Sequence, residues 1–98
     1  MITLVYSDVA KEEIKIAAFW YEERKDTLGY DFEKEVFDKI QIIKTFPERY
    51  APIKGSYREV KINKFPFKVI YKYNKSKGLI TISSIFHTSR NPTHKYKR

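Results

Sequence analysis

The spacing of apolar residues changes period once along this chain, and that change limits the possible folds more than any other feature. Between Ser7 and Phe46 apolar residues recur every three or four positions, whereas between Tyr57 and His87 they alternate or run together. The first pattern belongs to helices packed by one face, the second to strands. Before the change, Ile2–Tyr6 is a short β-favouring run and reads as a strand. Ser7-Asp8 then offers a helix N-cap with an acid in the first turn. Ala10, Ile14, Ala17, Ala18 and Tyr21 share one face of the first expected helix, and Leu28-Gly29 is expected to end it. Phe32, Val36, Ile40 and Ile43 form the stripe of a second, with Phe37 beside it. Phe46-Pro47 closes that helix, because the residue before proline avoids the helical region. So short a connection predicts an antiparallel helix hairpin.

Residues 47–56 contain Pro47, Pro52 and Gly55 and read as a loop. Three strands are expected after it. In Tyr57–Ile62, Arg58 shares a face with Val60 and Ile62, while Glu59 and Lys61 face the other way. Asn63-Lys64 makes a turn. Phe67–Tyr73 places Phe67, Val69, Tyr71 and Tyr73 on one side and Lys68 and Lys72 on the other. After the polar turn Asn74–Gly78, Leu79–His87 is mostly apolar and is expected to be central. The predicted fold is α+β. An N-terminal strand and a helix hairpin pack on a mostly antiparallel sheet that ends in a three-strand meander, all in one domain over residues 1–98. Many of the cationic side chains should lie on the sheet face opposite the helices.

Charge divides along the same boundary. Residues 1–53 carry eight Lys/Arg and eleven Asp/Glu; residues 54–98 carry twelve Lys/Arg and a single acid, Glu59. A field of one sign over half a chain attracts polyanions such as nucleic acid or an acidic protein segment. The chain has no Cys, which excludes disulfides, thiol nucleophiles and thiolate metal sites. Its two His, His87 and His94, are too few for a metal cluster, and no cofactor motif is present. No apolar run approaches the roughly 18 residues that span a bilayer. The N-terminal segment lacks the basic and long apolar regions of a signal peptide. A cytoplasmic protein without a membrane partner is expected.

The remaining candidates for chemistry are basic or aromatic: Lys54, Arg58, Lys61, Lys68, Lys72, His87, Arg90, His94, Lys95, Tyr96 and Arg98. Such a set suits RNA cleavage without a metal. A Lys, His or Tyr can remove the proton of the 2′-OH or protonate the leaving oxygen, and Arg and Lys can stabilise the phosphorane-like charge. Aromatic rings can stack on splayed bases. The same set can bind nucleic acid or an acidic peptide with no catalysis at all. Trp20 beside Tyr21 reads as packing or a partner contact.

Several local motifs, taken in order, resemble the RelE/ParE toxin superfamily of bacterial type II toxin–antitoxin modules, which includes plasmid stabilisation proteins. The hairpin runs from Phe19-Trp20-Tyr21-Glu22-Glu23 through Leu28-Gly29-Tyr30-Asp31-Phe32 to Ile43-Lys44-Thr45-Phe46-Pro47. Arg58 falls where such toxins often carry an Arg in the first meander strand. Phe65-Pro66-Phe67-Lys68-Val69-Ile70-Tyr71 is similar to the family's FP-aromatic strand, and His87, Arg90 and Pro92 to its closing H-x-x-R-x-P segment. The resemblance implies a toxin neutralised by a cognate antitoxin through an acidic segment. RelE-like members cut mRNA in the ribosomal A site; ParE-like members inhibit DNA gyrase. The nuclease branch implies catalytic roles for Arg58, His87, Arg90 and Tyr96, with Lys54, Lys61, Lys68, Lys72, Lys95 and Arg98 contacting nucleic acid or antitoxin. The alternatives are gyrase inhibition and a non-catalytic RNA-binding module.

Overall fold

The computed structural model describes residues 1–89. The elements run β1 (Thr3–Tyr6), α1 (Asp8–Arg24), α2 (Leu28–Thr45), β2 (Pro52–Lys54), β3 (Tyr57–Lys61), β4 (Phe67–Asn74) and β5 (Leu79–His87). The strands form one sheet in the order β1-β5-β4-β3-β2. β1 lies parallel to β5 and the other pairs are antiparallel. The two helices pack on one face, so the molecule is the two-layer α+β arrangement expected from the period change. β5 lies inside the sheet, but the middle strand is β4, because residues 47–56 are not all loop. Pro52–Lys54 adds the edge strand β2 beyond β3. Three residues on an edge leave too little alternation to read as a strand.

Each helix is fixed by residues close to its ends. Ser7 caps α1 by accepting from the Ala10 N–H at 3.0 Å. α1 stops at Arg24, and Lys25, Asp26 and Thr27 make the turn. Gly29 therefore does not break the hairpin; it sits in the first turn of α2. A Cβ at this position would lie 2.4 Å from the Ala18 carbonyl oxygen, so glycine serves the close approach of the helices. Glu22 completes the corner, its carboxylate accepting from the Thr27 and Gly29 N–H groups, each at 2.9 Å. Thr27 makes no side-chain cap of its own. The donors left over at the start of α2 are thus served by α1.

The core is aromatic at one end. Phe32 from α2 meets Phe65 and Phe67 with ring centroids 5.3 and 4.9 Å apart, and Tyr21 of α1 closes on Phe65 at 4.8 Å. Phe65 belongs to the β3–β4 connection, where Lys64 takes a positive φ of 70°. Toward the other end aliphatic residues take over: Val36, Ile40 and Ile43 are buried in the same cluster as Ile80 and Ile82.

The β4–β5 register shifts once. Ile70 pairs with Ser84 but Tyr71 pairs with Ile82, so Ser83 is an extra residue and β5 is bulged there. Ile80, Ile82 and Ile85 all join the core as a result, although Ile82 and Ile85 are three apart.

Candidate nucleic-acid interface

Cross-strand partners project from the same face of a sheet. Arg58/Tyr71, Val60/Val69 and Phe67/His87 pair on the face covered by the helices. Tyr57/Lys72, Glu59/Ile70 and Lys61/Lys68 pair on the opposite face, and Lys54 of β2 stands beside Tyr57. Four lysines, 54, 61, 68 and 72, therefore rise from three neighbouring strands on one side. Ile70 and Phe86 are buried on that side and give it an apolar floor.

The lysines differ in their surroundings. Lys72 Nζ lies 4.6 Å from the centroid of the Tyr57 ring. Lys68 Nζ lies 3.3 Å from Glu59 Oε1, and the Glu59 side chain is only 7% exposed. That carboxylate is the single acid between residues 54 and 89, and it faces an ammonium group. Lys61 is exposed directly opposite Lys68. The result is a cationic surface with one aromatic ring that can stack and one internal counter-charge. It suits a polyanion carrying exposed bases.

Arg58 and His87 point the other way. Arg58 donates from Nη1 to the Tyr50 carbonyl oxygen. Tyr71, its cross-strand neighbour, donates its hydroxyl to the Pro47 carbonyl oxygen at 3.0 Å. Together they fasten the segment after α2 to the sheet. Burial pushes the Tyr71 hydroxyl up to about 12; the Arg58 charge opposes this and Tyr50 adds to it. His87 meets the Phe67 ring edge-on, with centroids 4.9 Å apart. Its Nδ1 accepts from the Ser89 N–H at 3.1 Å, so in the neutral ring Nε2 carries the proton. Arg58 and His87 stand opposite positions 71 and 67 of β4 and two strands apart, which puts them about 16 Å from each other. Arg90, His94, Lys95, Tyr96 and Arg98 lie outside the described residues.

Two features went unread in the sequence. Glu13 is a buried carboxylate whose Oε1 accepts from Ser84 Oγ at 2.8 Å and from the Ile85 N–H at 3.0 Å. Its position was legible, since residue 13 lies three after Ala10 and one before Ile14, within the buried stripe of α1. Beside it a cleft of about 390 Å³ runs between α1 and the end of β5, lined by Glu13, Ile16, Trp20, Tyr21, Phe67 and His87 among others. Trp20 is half exposed there, with the Arg24 guanidinium 3.4 Å over its ring. Among the described residues no group of three His, Cys, Asp or Glu side chains could hold a metal ion, and no helix is long and apolar enough to cross a membrane.

Two helices on one face of a five-strand sheet, with the N-terminal strand parallel to the last, define an α+β protein of the RelE/ParE fold. The particular likenesses are to a chain of a toxin–antitoxin system and to an isolated toxin. A chain of the chromosomal ParDE TA system from P. aeruginosa superposes with a TM-score of 0.71 at 13% identity, over 91% of this chain and 98% of that one. The isolated E. coli RelE toxin superposes with a TM-score of 0.60 at 14% identity, over 99% of this chain and 95% of that one. No family model and no curated protein sequence matches the chain.

Proposed function

We propose that this chain is the toxin of a toxin–antitoxin pair and that it acts in the cytoplasm on mRNA at the ribosome. The observation that carries this reading is the row of Lys54, Lys61, Lys68 and Lys72 on one sheet face around Tyr57. RNA lies across this face with its phosphates at the ammonium groups and a base against the ring. The lysines stabilise charge that develops on the phosphorane. Arg58 and Arg90 serve as further phosphate-stabilising groups and His87 and Tyr96 as the proton-transfer groups. Arg58 and His87 approach the RNA from the helix-side face of the sheet. Lys95 and Arg98 are further RNA or antitoxin contacts. The cognate antitoxin presents an acidic segment that competes for the lysine face.

Primer extension on a defined mRNA in a purified translation reaction tests the reading. Cuts at the A-site codon that need ribosomes, and that disappear in Lys61→Glu/Lys72→Glu, are expected. Intact mRNA after adding folded, antitoxin-free protein overturns it.

A second reading is inhibition of DNA gyrase by a ParE-like mechanism. It is favoured by the higher TM-score with the ParDE structure, 0.71 against 0.60. A supercoiling assay separates the two, because a gyrase inhibitor blocks supercoiling and leaves ribosome-bound mRNA whole.

A further inference from the structure

Ser7 donates to two successive carbonyl groups of β5: its N–H to Ile82 at 2.9 Å and its hydroxyl to Ser83 at 2.8 Å. Successive carbonyls of a regular strand point to opposite edges, so one residue serves both only where the strand is bulged. Six residues further along the chain, Glu13 takes the Ile85 N–H and the Ser84 hydroxyl. β1 ends at Tyr6, so these two side chains occupy the edge of β5 that β1 leaves uncovered.

We propose that Ser7 and Glu13 are a register lock on β5, and that this lock decides which face of the sheet His87 occupies. The competing register follows from the pairing. Without the bulge, the alignment of Tyr71 with Ile82 would continue as Val69 with Ser84, Lys68 with Ile85, Phe67 with Phe86 and Pro66 with His87. Ser84 would then take the place of Ile85 opposite Val69 and Phe86 that of His87 opposite Phe67, so the helix-side face would lose Ile85 and gain Phe86 and keep its number of large apolar residues. His87 would move to the lysine face next to Lys68. Register is weakly specified where the apolar pattern fits both alignments, and Ile82-Ser83-Ser84-Ile85-Phe86 fits both. The Ser7 hydroxyl separates them, because in the slipped register the Ser83 carbonyl turns toward β4. This inference stands apart from the target of the protein.

The chain has no cysteine, so introduced pairs report the register directly. Thr88 donates its N–H to the Pro66 carbonyl oxygen at 2.9 Å, which places positions 66 and 88 opposite each other in the observed register. Pro66→Cys/Thr88→Cys should therefore close a disulfide, and Pro66→Cys/His87→Cys should not. Ser7→Asp keeps an acceptor for the helix cap but has no proton to give Ser83; Ser7→Thr keeps both. In Ser7→Asp/Glu13→Ala the closure preference should reverse by about tenfold or more, and in Ser7→Thr it should not change. A folded Ser7→Asp/Glu13→Ala that still closes the 66–88 pair overturns the proposal. If that variant does not fold, Ser7→Asp alone is read by amide exchange. The Ile85 and Ser84 amides should exchange about tenfold faster than in Ser7→Thr, and equal rates overturn the proposal.

Discussion

Tyr71 has no exposed surface, yet its ring carries a hydroxyl that must find a partner, and the Pro47 carbonyl supplies one. Tyr71→Phe keeps the ring and leaves that carbonyl without its donor, so a loss of about 1–2 kcal/mol is expected in urea denaturation. The hydroxyl also predicts an alkaline limit. Its folded pKa, about 12, lies above the ordinary value of 10.0, so the stability it contributes is whole below pH 10. That stability is lost as pH rises from 10 toward 12. The difference in denaturation midpoint between the native chain and Tyr71→Phe should therefore shrink over that interval. Arg58 carries a related lesson. Arg58→Ala removes the donor to the Tyr50 carbonyl and should cost about 1–3 kcal/mol in the same measurement. Loss of toxicity in that variant identifies a catalytic group only if thermal unfolding shows the population still folded.

Among the elements, the helix hairpin gives the sharpest test. A glycine inside a helix is ordinarily improved by alanine, by about 1 kcal/mol. Gly29→Ala should do the reverse and destabilise by about 1–3 kcal/mol, because its Cβ would press on the Ala18 carbonyl and on Glu22. An increase in the urea midpoint would show that the helices can separate at no cost. The same residue marks where sequence reasoning stopped. Helix stripes, the strand faces of Arg58, Lys61, Lys68 and Lys72, and the two-layer order were legible because periods of 3.6 and 2 repeat over many residues. The turn at residues 25–27 was not, since glycine is as useful for close approach as for ending a helix. Neither was β2, nor the parallel pairing of β1 with β5, which depends on what lies beside a strand and not on its own pattern. Of the candidate interface, the lysine row was readable from alternation. The separation of His87 from it was not, because one bulged residue reverses the faces.

At the scale of the whole molecule, charge divides along the chain. Residues 1–53, which include both helices, carry a net −3, and residues 54–98 a net +11. If four lysines of the sheet face each meet one phosphate, binding to single-stranded RNA should weaken with a log–log salt slope of about −2.8. Lys61→Ala/Lys72→Ala should bring that slope to about −1.4. Fluorescence anisotropy titrations between about 50 and 200 mM salt measure both, and a flat response would remove RNA from the face.

The parallel pairing of β1 with β5 also has a consequence for the chain as it is made. Thr3 waits for Leu79, 76 positions later, and Ser7 waits equally long for Ser83. At about 5–20 residues per second, the first strand spends roughly 4–15 s of synthesis without its neighbour. The lysine-bearing hairpin of β3 and β4 emerges before β5, but His87 takes its place only when β5 inserts between β4 and β1. Translation that stops before residue 79 leaves a cationic hairpin and an unpaired N-terminal strand, a product exposed to aggregation and proteolysis rather than one able to act.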